Sequence, residues 1–172
     1  MSPKLDYRTV PFHTTRISDS GRYIGHSIYW KLYAIENIMR VIVHSVLNAQ
    51  LGPTWWSVAV ATDSETNRNV QRVKRNLARQ SWRTSPGNHE IYFIFLPDLN
   101  KIISAHNHLF RPIIPDIDQW IVRLEQIKHS RNIVSHMNWL DTSDKHDIDI
   151  AYAELKSLVK DLKNSGLQLH IP

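Results

Sequence analysis

The chain has 172 residues, no cysteine and a formal net charge of +5. This length allows one domain with a substantial core, and the lack of cysteine excludes disulfides, thiolate metal ligands and a cysteine nucleophile. The sequence has no apolar run long enough to span a bilayer and no signal-peptide core near its start, so we expect a cytoplasmic protein without a membrane partner. The basic balance favours an anionic partner such as nucleic acid.

The N-terminal third predicts an arm followed by a long helix. Residues 1–20 show no periodicity and contain two prolines, which predicts an extended or disordered arm ahead of a helical domain over 21–172. Apolar residues then recur every third or fourth position from 24 to 46, which predicts an amphipathic helix. The Gly-Pro pair at 52–53 is expected to end it, and the tryptophan pair that follows is expected to fill the core or the turn.

A second helix is predicted from Glu65 to Trp82 and contains the densest run of cations in the chain. Glu65 is its single acid. Such a run is often only a solvated helix face, but here no neighbouring acid in the sequence pairs with it. We therefore consider it a candidate track for RNA phosphates. Its side chains are Arg68, Arg72, Lys74, Arg75, Arg79 and, just beyond the helix, Arg83.

The remaining elements are also mostly helical. After a turn at 86–88, the stretch "IYFIFLPDLNKII" begins as a short β-like run and is expected to become helical after Pro97. A fourth helix is predicted from Asp116 to Trp139, and a fifth is expected to end at Gly166. Helices outnumber everything else, so the predicted fold class is all-α, a bundle of four to five helices.

Polar residues interrupt the regular apolar stripe of the fourth helix. Glu125, His129, Asn132 and His136 follow one another at spacings of four, three and four, which places them on one helix face. Arg131 lies about 140° from His136, along the apolar stripe, so it needs a bent helix, a neighbouring acceptor or a second chain. Histidines near a core are most often structural, and metal-ligand spacing is lacking, so we expect no metal.

An arginine and a histidine close together suit one reaction in particular. A histidine exchanges protons near neutral pH, and an arginine presents a planar fork to a phosphate whose charge increases during reaction. This pair therefore favours RNA cleavage by attack of the 2′-hydroxyl on the adjacent phosphate.

The stretch "RNIVSH", Arg131 to His136, resembles the R-x4-H motif of the HEPN superfamily, including the polar residue, Asn132, that the family prefers after the arginine. The same spacing occurs in "RTVPFH", Arg8 to His13, but its proline argues against a helix interior. The stronger match therefore lies in the fourth helix.

Other segments extend this resemblance over residues 22–165, in pattern rather than in close identity. "LYAIENIMRVIVHSVL" is similar to the first long helix of HEPN domains, with Glu36 and Arg40 at family-like positions. "YFIFLPDLNKII" followed by "WIVRLEQIKHSRNIVSHMNWL" resembles the later part of one HEPN subgroup. The resemblance implies an all-α bundle that forms a homodimer, in which two R-x4-H motifs meet in one composite site.

The resemblance also implies an activity. Many HEPN domains are metal-independent endoribonucleases of toxin–antitoxin, anti-phage or RNA-processing systems, and they leave a 2′,3′-cyclic phosphate. By this likeness His136 is the acid–base residue, Arg131 stabilises the phosphate and Asn132 orients it. The expected partners are an RNA substrate and an antitoxin or regulatory protein, with no cofactor. Glu36 is expected to support the site from its family-like position, and Glu125 and His129 are expected to do so because they share the helix face of Asn132 and His136.

One position departs from the pattern of some HEPN toxins. These carry a tyrosine two residues after the histidine, which a partner nucleotidyltransferase modifies, whereas this chain has Asn138. Two other interpretations remain open: a catalytically inactive HEPN module that binds RNA, nucleotide or protein, and an unrelated helical regulator that binds nucleic acid.

Overall fold

A computed structural model describes residues 5–80 and 82–172, and helices are the regular secondary structure throughout these ranges, which confirms the all-α prediction. None of the helices described there is both long and apolar enough to cross a membrane. The chain order of the α-helices in this part of the chain is α1 (Thr14–Ile24), α2 (Trp30–Leu51), α3 (Trp55–Ala59), α4 (Glu65–Ala78), α5 (Leu96–Ala105), α6 (Asn107–Phe110), α7 (Ile117–Ser135) and α8 (Thr142–Asn164).

The core lies between four of these helices. α2 packs against α5 and α8, and α7 packs against α5 and α8. The apolar stripe predicted for α7 is buried there, including Trp120, Leu124, Ile127 and Val134. Each buried side chain of this kind contributes roughly 1.5–3 kcal/mol of hydrophobic stabilisation. The burial holds α7 in a fixed rotation, and thereby fixes the direction in which its polar residues point.

Two glycines end the long helices as the sequence predicts. Gly52 follows α2 with φ 82°, and Gly166 follows α8 with φ 87°. Both lie in the left-handed region that residues with a side chain rarely adopt. α4 ends at Ala78, earlier than the predicted Trp82, which is exposed, and Ser81 lies outside the described residues.

The end of α7 differs from the prediction. The helix stops at Ser135, four residues before Trp139, because Met137 adopts φ 59°. Its N–H donates to the carbonyl oxygen of Val134, and the N–H of the next residue donates to that of Ile133, which is the hydrogen-bond pattern of a Schellman motif. The chain therefore leaves the helix immediately after the residue that completes the R-x4-H spacing.

The N-terminal segment is more ordered than the expected arm. α1 begins at Thr14, so residues 14–20 are helical, and the Nδ1 of His13 caps the helix by accepting from the N–H of Thr15 at 3.2 Å. A π-helical turn, Gly25–Tyr29, joins α1 to α2. Residues 1–4 of the predicted arm lie outside the described residues. The sequence contains the cap, but a histidine is not among the usual capping residues.

The β-like run after residue 90 is not a strand. Glu90–Phe93 forms a 3-10 turn, and α5 begins at Leu96 with Pro97 in its first turn. Ile91 and Ile94 are both buried. Their spacing of three brings both side chains to the same side of the turn, which the alternating pattern of a strand would not do.

Candidate functional site

Arg131 faces α2 rather than solvent. Its Nε lies 3.6 Å from the Oε2 of Glu36, and its guanidinium carbon lies 4.9 Å from the ring centroid of Phe95. The ion pair and the cation–π contact fix the guanidinium from two sides. Of the three explanations considered for an arginine along the apolar stripe, the neighbouring acceptor is the one found within this chain.

Glu36 also holds a second arginine. Its Oε1 accepts from the Nη2 of Arg40, which is 9% exposed and also donates to the backbone oxygen of Ile94 at 2.8 Å. The Nη1 of Arg40 donates to the Oδ1 of Asn37 at 2.9 Å, while its Nε is buried without a hydrogen bond in the described structure. Two guanidinium groups share one carboxylate, so the cluster carries one net positive charge.

This cluster lines an open cavity of about 530 Å³ between α2, α7 and the segment 86–95. We refer to it as the arginine cavity. Its size falls in the range of pockets that bind small ligands. Besides Glu36, Arg40 and Arg131, its wall contains the aromatic side chains of Tyr29, Tyr33 and Phe95.

His136, unlike Arg131, is not part of the wall of the arginine cavity. It follows α7 directly and is exposed, and its ring makes no hydrogen bond or ion pair with the residues that the structure describes. Asn132 is also exposed, and its backbone oxygen accepts from the N–H of His136 at 3.1 Å. Among the described residues, no hydrogen bond or ion pair joins the side chains of the three predicted catalytic residues within one copy of the chain.

The rest of the polar stripe is also at the surface. Glu125 and His129 are exposed, and Glu125 pairs with Lys128 at 2.5 Å. Of the three residues expected to support the site, Glu36 is the one that contacts Arg131 in the described structure. Glu125 and His129 share instead the exposed face of Asn132 and His136.

An apolar groove of about 600 Å³ lies beside the arginine cavity, between α1 and the end of α7. Tyr29, Val134 and Ser135 line both spaces. Met137, 88% exposed, lies on the wall of the groove directly after His136. The exposed end of the R-x4-H motif is therefore next to apolar surface.

The cations of the basic run fall into two groups. Lys74 donates to the Oε1 of Glu90 at 2.7 Å and lies over the Phe93 ring. Burial acts to raise the pKa of Glu90, but this hydrogen bond and the attraction of Lys74 outweigh it, so the pKa is lowered. Arg68 donates to the backbone oxygen of Asp63. The remaining members are exposed and without an ion pair in the described part of the chain: Arg72, Arg75, Arg79 and Arg83.

A half-buried histidine pair was missed by the sequence analysis. The Nε1 of Trp55 donates to the Nδ1 of His44 at 3.0 Å, and the His89 ring stacks on the same indole at 5.1 Å. Burial, together with His89 and His170, lowers the pKa of His44 to about 4, and burial lowers that of His89. The apolar period of α2 gave no signal for this contact, because His44 lies outside that period.

The histidines and acids of the described residues are not clustered in the way that metal ligands would be. In the described ranges no three His, Asp or Glu side chains are grouped so that they could hold a metal ion. In the second R-x4-H match, Arg8 is bound by Asp6 through two nitrogens, and His13 is the cap of α1. Arg8 lies in the short 3-10 turn Tyr7–Thr9 and His13 precedes α1, so neither residue lies inside an α-helix.

Comparisons with family models, with curated proteins and with solved structures give no match for this chain. The functional interpretation therefore depends on the geometry of the Arg131 and His136 surfaces and on the resemblance of the motif.

Proposed function

We propose that this protein is a metal-independent endoribonuclease whose active site is formed by two R-x4-H motifs at a homodimer interface. The observation that carries the proposal is the contrast within one motif. Arg131 is fixed by Glu36 and Phe95 on the wall of an open cavity, while His136 is exposed at the end of the same helix. A fixed cation and an accessible acid–base group are the two components that phosphate transfer to a 2′-oxygen needs.

The reaction has two proton transfers and one exchange of bonds. One His136 removes the proton of the 2′-hydroxyl as its oxygen forms a bond to the adjacent phosphorus. The bond from phosphorus to the 5′-oxygen breaks, and His136 of the second copy donates a proton to that oxygen. Arg131 binds the non-bridging oxygens as their negative charge increases, and Asn132 orients the phosphate.

Two features support a second copy as the source of the missing groups. Arg131 and His136 are about 140° apart on α7, so one helix presents them in different directions. The exposed stripe of Glu125, His129, Asn132 and His136 adjoins the apolar groove at Met137. An isologous contact through this surface buries apolar area and places the two motifs near one axis.

The biological setting follows from the resemblance, and we propose a toxin or anti-phage effector controlled by an antitoxin or regulatory protein. The second candidate is an inactive HEPN module that binds RNA, nucleotide or protein. One observation favours it: Arg131 is already paired with Glu36, so part of its charge is neutralised before a phosphate arrives.

The experiment is a cleavage assay with purified protein and total cellular RNA in excess EDTA, beside His136→Ala. We expect fragments ending in cyclic phosphate and a rate loss of about 10²- to 10⁴-fold in the variant. His146→Ala, which removes another exposed histidine, is the control and is expected to cleave normally. If a folded dimer leaves all RNA intact, the binding module is the better interpretation. A monomer in light scattering would contradict the composite site.

A further inference from the structure

We propose that the arginine cavity binds one unpaired nucleobase of the RNA, so that the protein selects single-stranded over double-stranded substrate. This inference rests on the proposed function, because it assigns the neighbour of the scissile phosphate to a place beside Arg131.

The first argument is the exposure of three aromatic rings around one cavity. Tyr29, Tyr33 and Phe95 are 57%, 63% and 57% exposed. Tyr29, the last residue of the π-helical turn, and Tyr33 in the first turn of α2 both line the cavity. Aromatic side chains usually bury most of their surface in the core or in an interface. Open rings grouped around a cavity are suited to stack on the bases of a single strand.

The second argument is the charge beside these rings. Glu36 is shared between Arg40 and Arg131, which leaves one net positive charge on the cavity wall. The guanidinium of Arg131 is itself in contact with the Phe95 ring. A phosphate at Arg131 and a base against the aromatic wall are therefore neighbouring positions, as they are within a nucleotide.

The third argument is what the cavity excludes. Its volume of about 530 Å³ accommodates a small ligand but not a helical stem. Bases in an A-form duplex are stacked and paired, and one that enters a pocket must first be extruded at a cost of a few kcal/mol. A base in a loop or a single strand avoids this cost, so the cavity discriminates between the two forms.

The test is a binding measurement that does not depend on cleavage. A short fluorescein-labelled RNA strand with 2′-O-methyl groups lacks the attacking hydroxyl. Its Kd is measured by fluorescence anisotropy in two forms, as a single strand and as a duplex with its complement. For the wild type we expect the single strand to bind at least about tenfold tighter than the duplex. Tyr33→Leu keeps an apolar side chain but removes the ring, and should weaken single-strand binding roughly tenfold.

Two controls define the role of the ring. Tyr33→Phe keeps the stacking surface and should bind like the wild type. Phe12→Leu removes a ring that is 80% exposed and outside the cavity, and should also bind normally. Phe95→Leu is the second variant if Tyr33→Leu does not fold, and the same loss is expected.

The outcomes separate this inference from the nuclease proposal. Equal binding of single strand and duplex, or unchanged binding by both leucine variants, overturns the inference even if the protein cleaves RNA. The expected binding pattern without any cleavage supports the base site and overturns the nuclease proposal instead.

Discussion

The arginines of the cavity and those of α4 show two uses of one side chain. Arg40 and Arg131 are held by a carboxylate, a backbone carbonyl and an aromatic ring. Arg72 and Arg75 are exposed and without an ion pair in the described part of the chain. A held guanidinium orients what it binds, whereas free guanidiniums raise the local concentration of anions without fixing their position.

The difference also has an entropic side. Ordering a long side chain costs up to about 2 kcal/mol of rotamer freedom. For Arg131 this cost is met during folding, because Glu36 and Phe95 restrict it in the free protein. For Arg72, which is exposed, the same entropic cost arises only when RNA binds. The comparison therefore predicts that changes to the cavity arginines and their carboxylate act on the rate, and that changes to the α4 arginines act on affinity.

The sharpest test of the comparison is the same conservative change in both regions. Arg131→Lys replaces a forked cation by a compact one that cannot contact Glu36 and a phosphate in the same geometry. We expect the cleavage rate at saturating RNA to fall about 10²- to 10³-fold in single-turnover kinetics. Arg72→Lys is the matched control and should leave the rate unchanged. Equal rates in the two variants would remove the distinction.

The next largest effect is expected from the carboxylate that holds the cavity arginines. Glu36→Gln keeps the shape but removes the charge, so Arg131 is less restricted and the rate should fall about tenfold to 10²-fold. RNA affinity should stay the same or increase, because the cavity becomes more positive. A variant with weaker RNA binding and a normal rate would show that Glu36 has a different role.

A loss of stability accompanies the same change. Arg40 is buried, so the loss of its anionic partner should lower the free energy of unfolding by up to about 3 kcal/mol. Urea unfolding would measure this loss. Glu125→Gln is the control, because its partner Lys128 is at the surface. We expect less than about 0.5 kcal/mol there.

On α4 the expected effect is on binding. Replacing Arg72, Arg75 and Arg79 together by alanine should weaken RNA binding and reduce the slope of log Kd against log salt by about 2, since each phosphate contact on a single strand contributes roughly 0.7. The rate at saturating RNA should not change. If the salt slope of the variant equals that of the wild type, this face is only solvated surface.

The smallest expected effect is on stability and concerns the segment 89–94, which contacts both α4 and the arginine cavity. Glu90 anchors Lys74 of α4, and Ile94 anchors Arg40 of the cavity. The segment begins at His89, which packs against His44 and Trp55. A decrease in pH should therefore destabilise the contacts of this segment with both α4 and the arginine cavity.

The sign of this pH effect follows from the pKa of His44, about 4 in the folded protein against about 6.5 in the unfolded chain. Between these values the unfolded chain binds a proton that the folded protein does not, so stability falls as the pH decreases from 6.5 to 4. We expect a loss of about 1–2 kcal/mol, after allowance for the partial access of solvent to the ring. His44→Asn keeps an acceptor for Trp55 but does not titrate. Urea unfolding over this pH range should show a flatter dependence in the variant.

The long helices could be predicted because their information is local. The apolar period of α2 and α7 and the glycines after α2 and α8 specify these elements from neighbouring residues. The end of α7 could not be predicted, because it depends on Met137 at φ 59°, and methionine rarely adopts a positive φ. The start of α1 was missed because its cap is a histidine.

The sequence selects the residues of the candidate site but does not show how they are arranged. The spacing within α7 identified Arg131 and His136 as the residues of interest. It did not identify the contact with Glu36, because that residue is 95 positions away and meets Arg131 only through the packing of the helices between them. Likewise the sequence placed Lys74 among free cations, whereas the turn at Glu90 brings it an acid.

The π-helical turn Gly25–Tyr29 determines how α1 is rotated about its axis relative to α2. A π-turn contains one residue more than an α-helical path requires, and a shift of one residue rotates a helix by about 100°. Deleting a residue here would leave the core face of α2 in place but turn Ile17 of α1 away from the apolar groove that it lines. The shape of that groove thus depends on a single insertion, and a change of chain length at this turn would remodel the surface beside His136 while leaving Arg131 and Glu36 untouched.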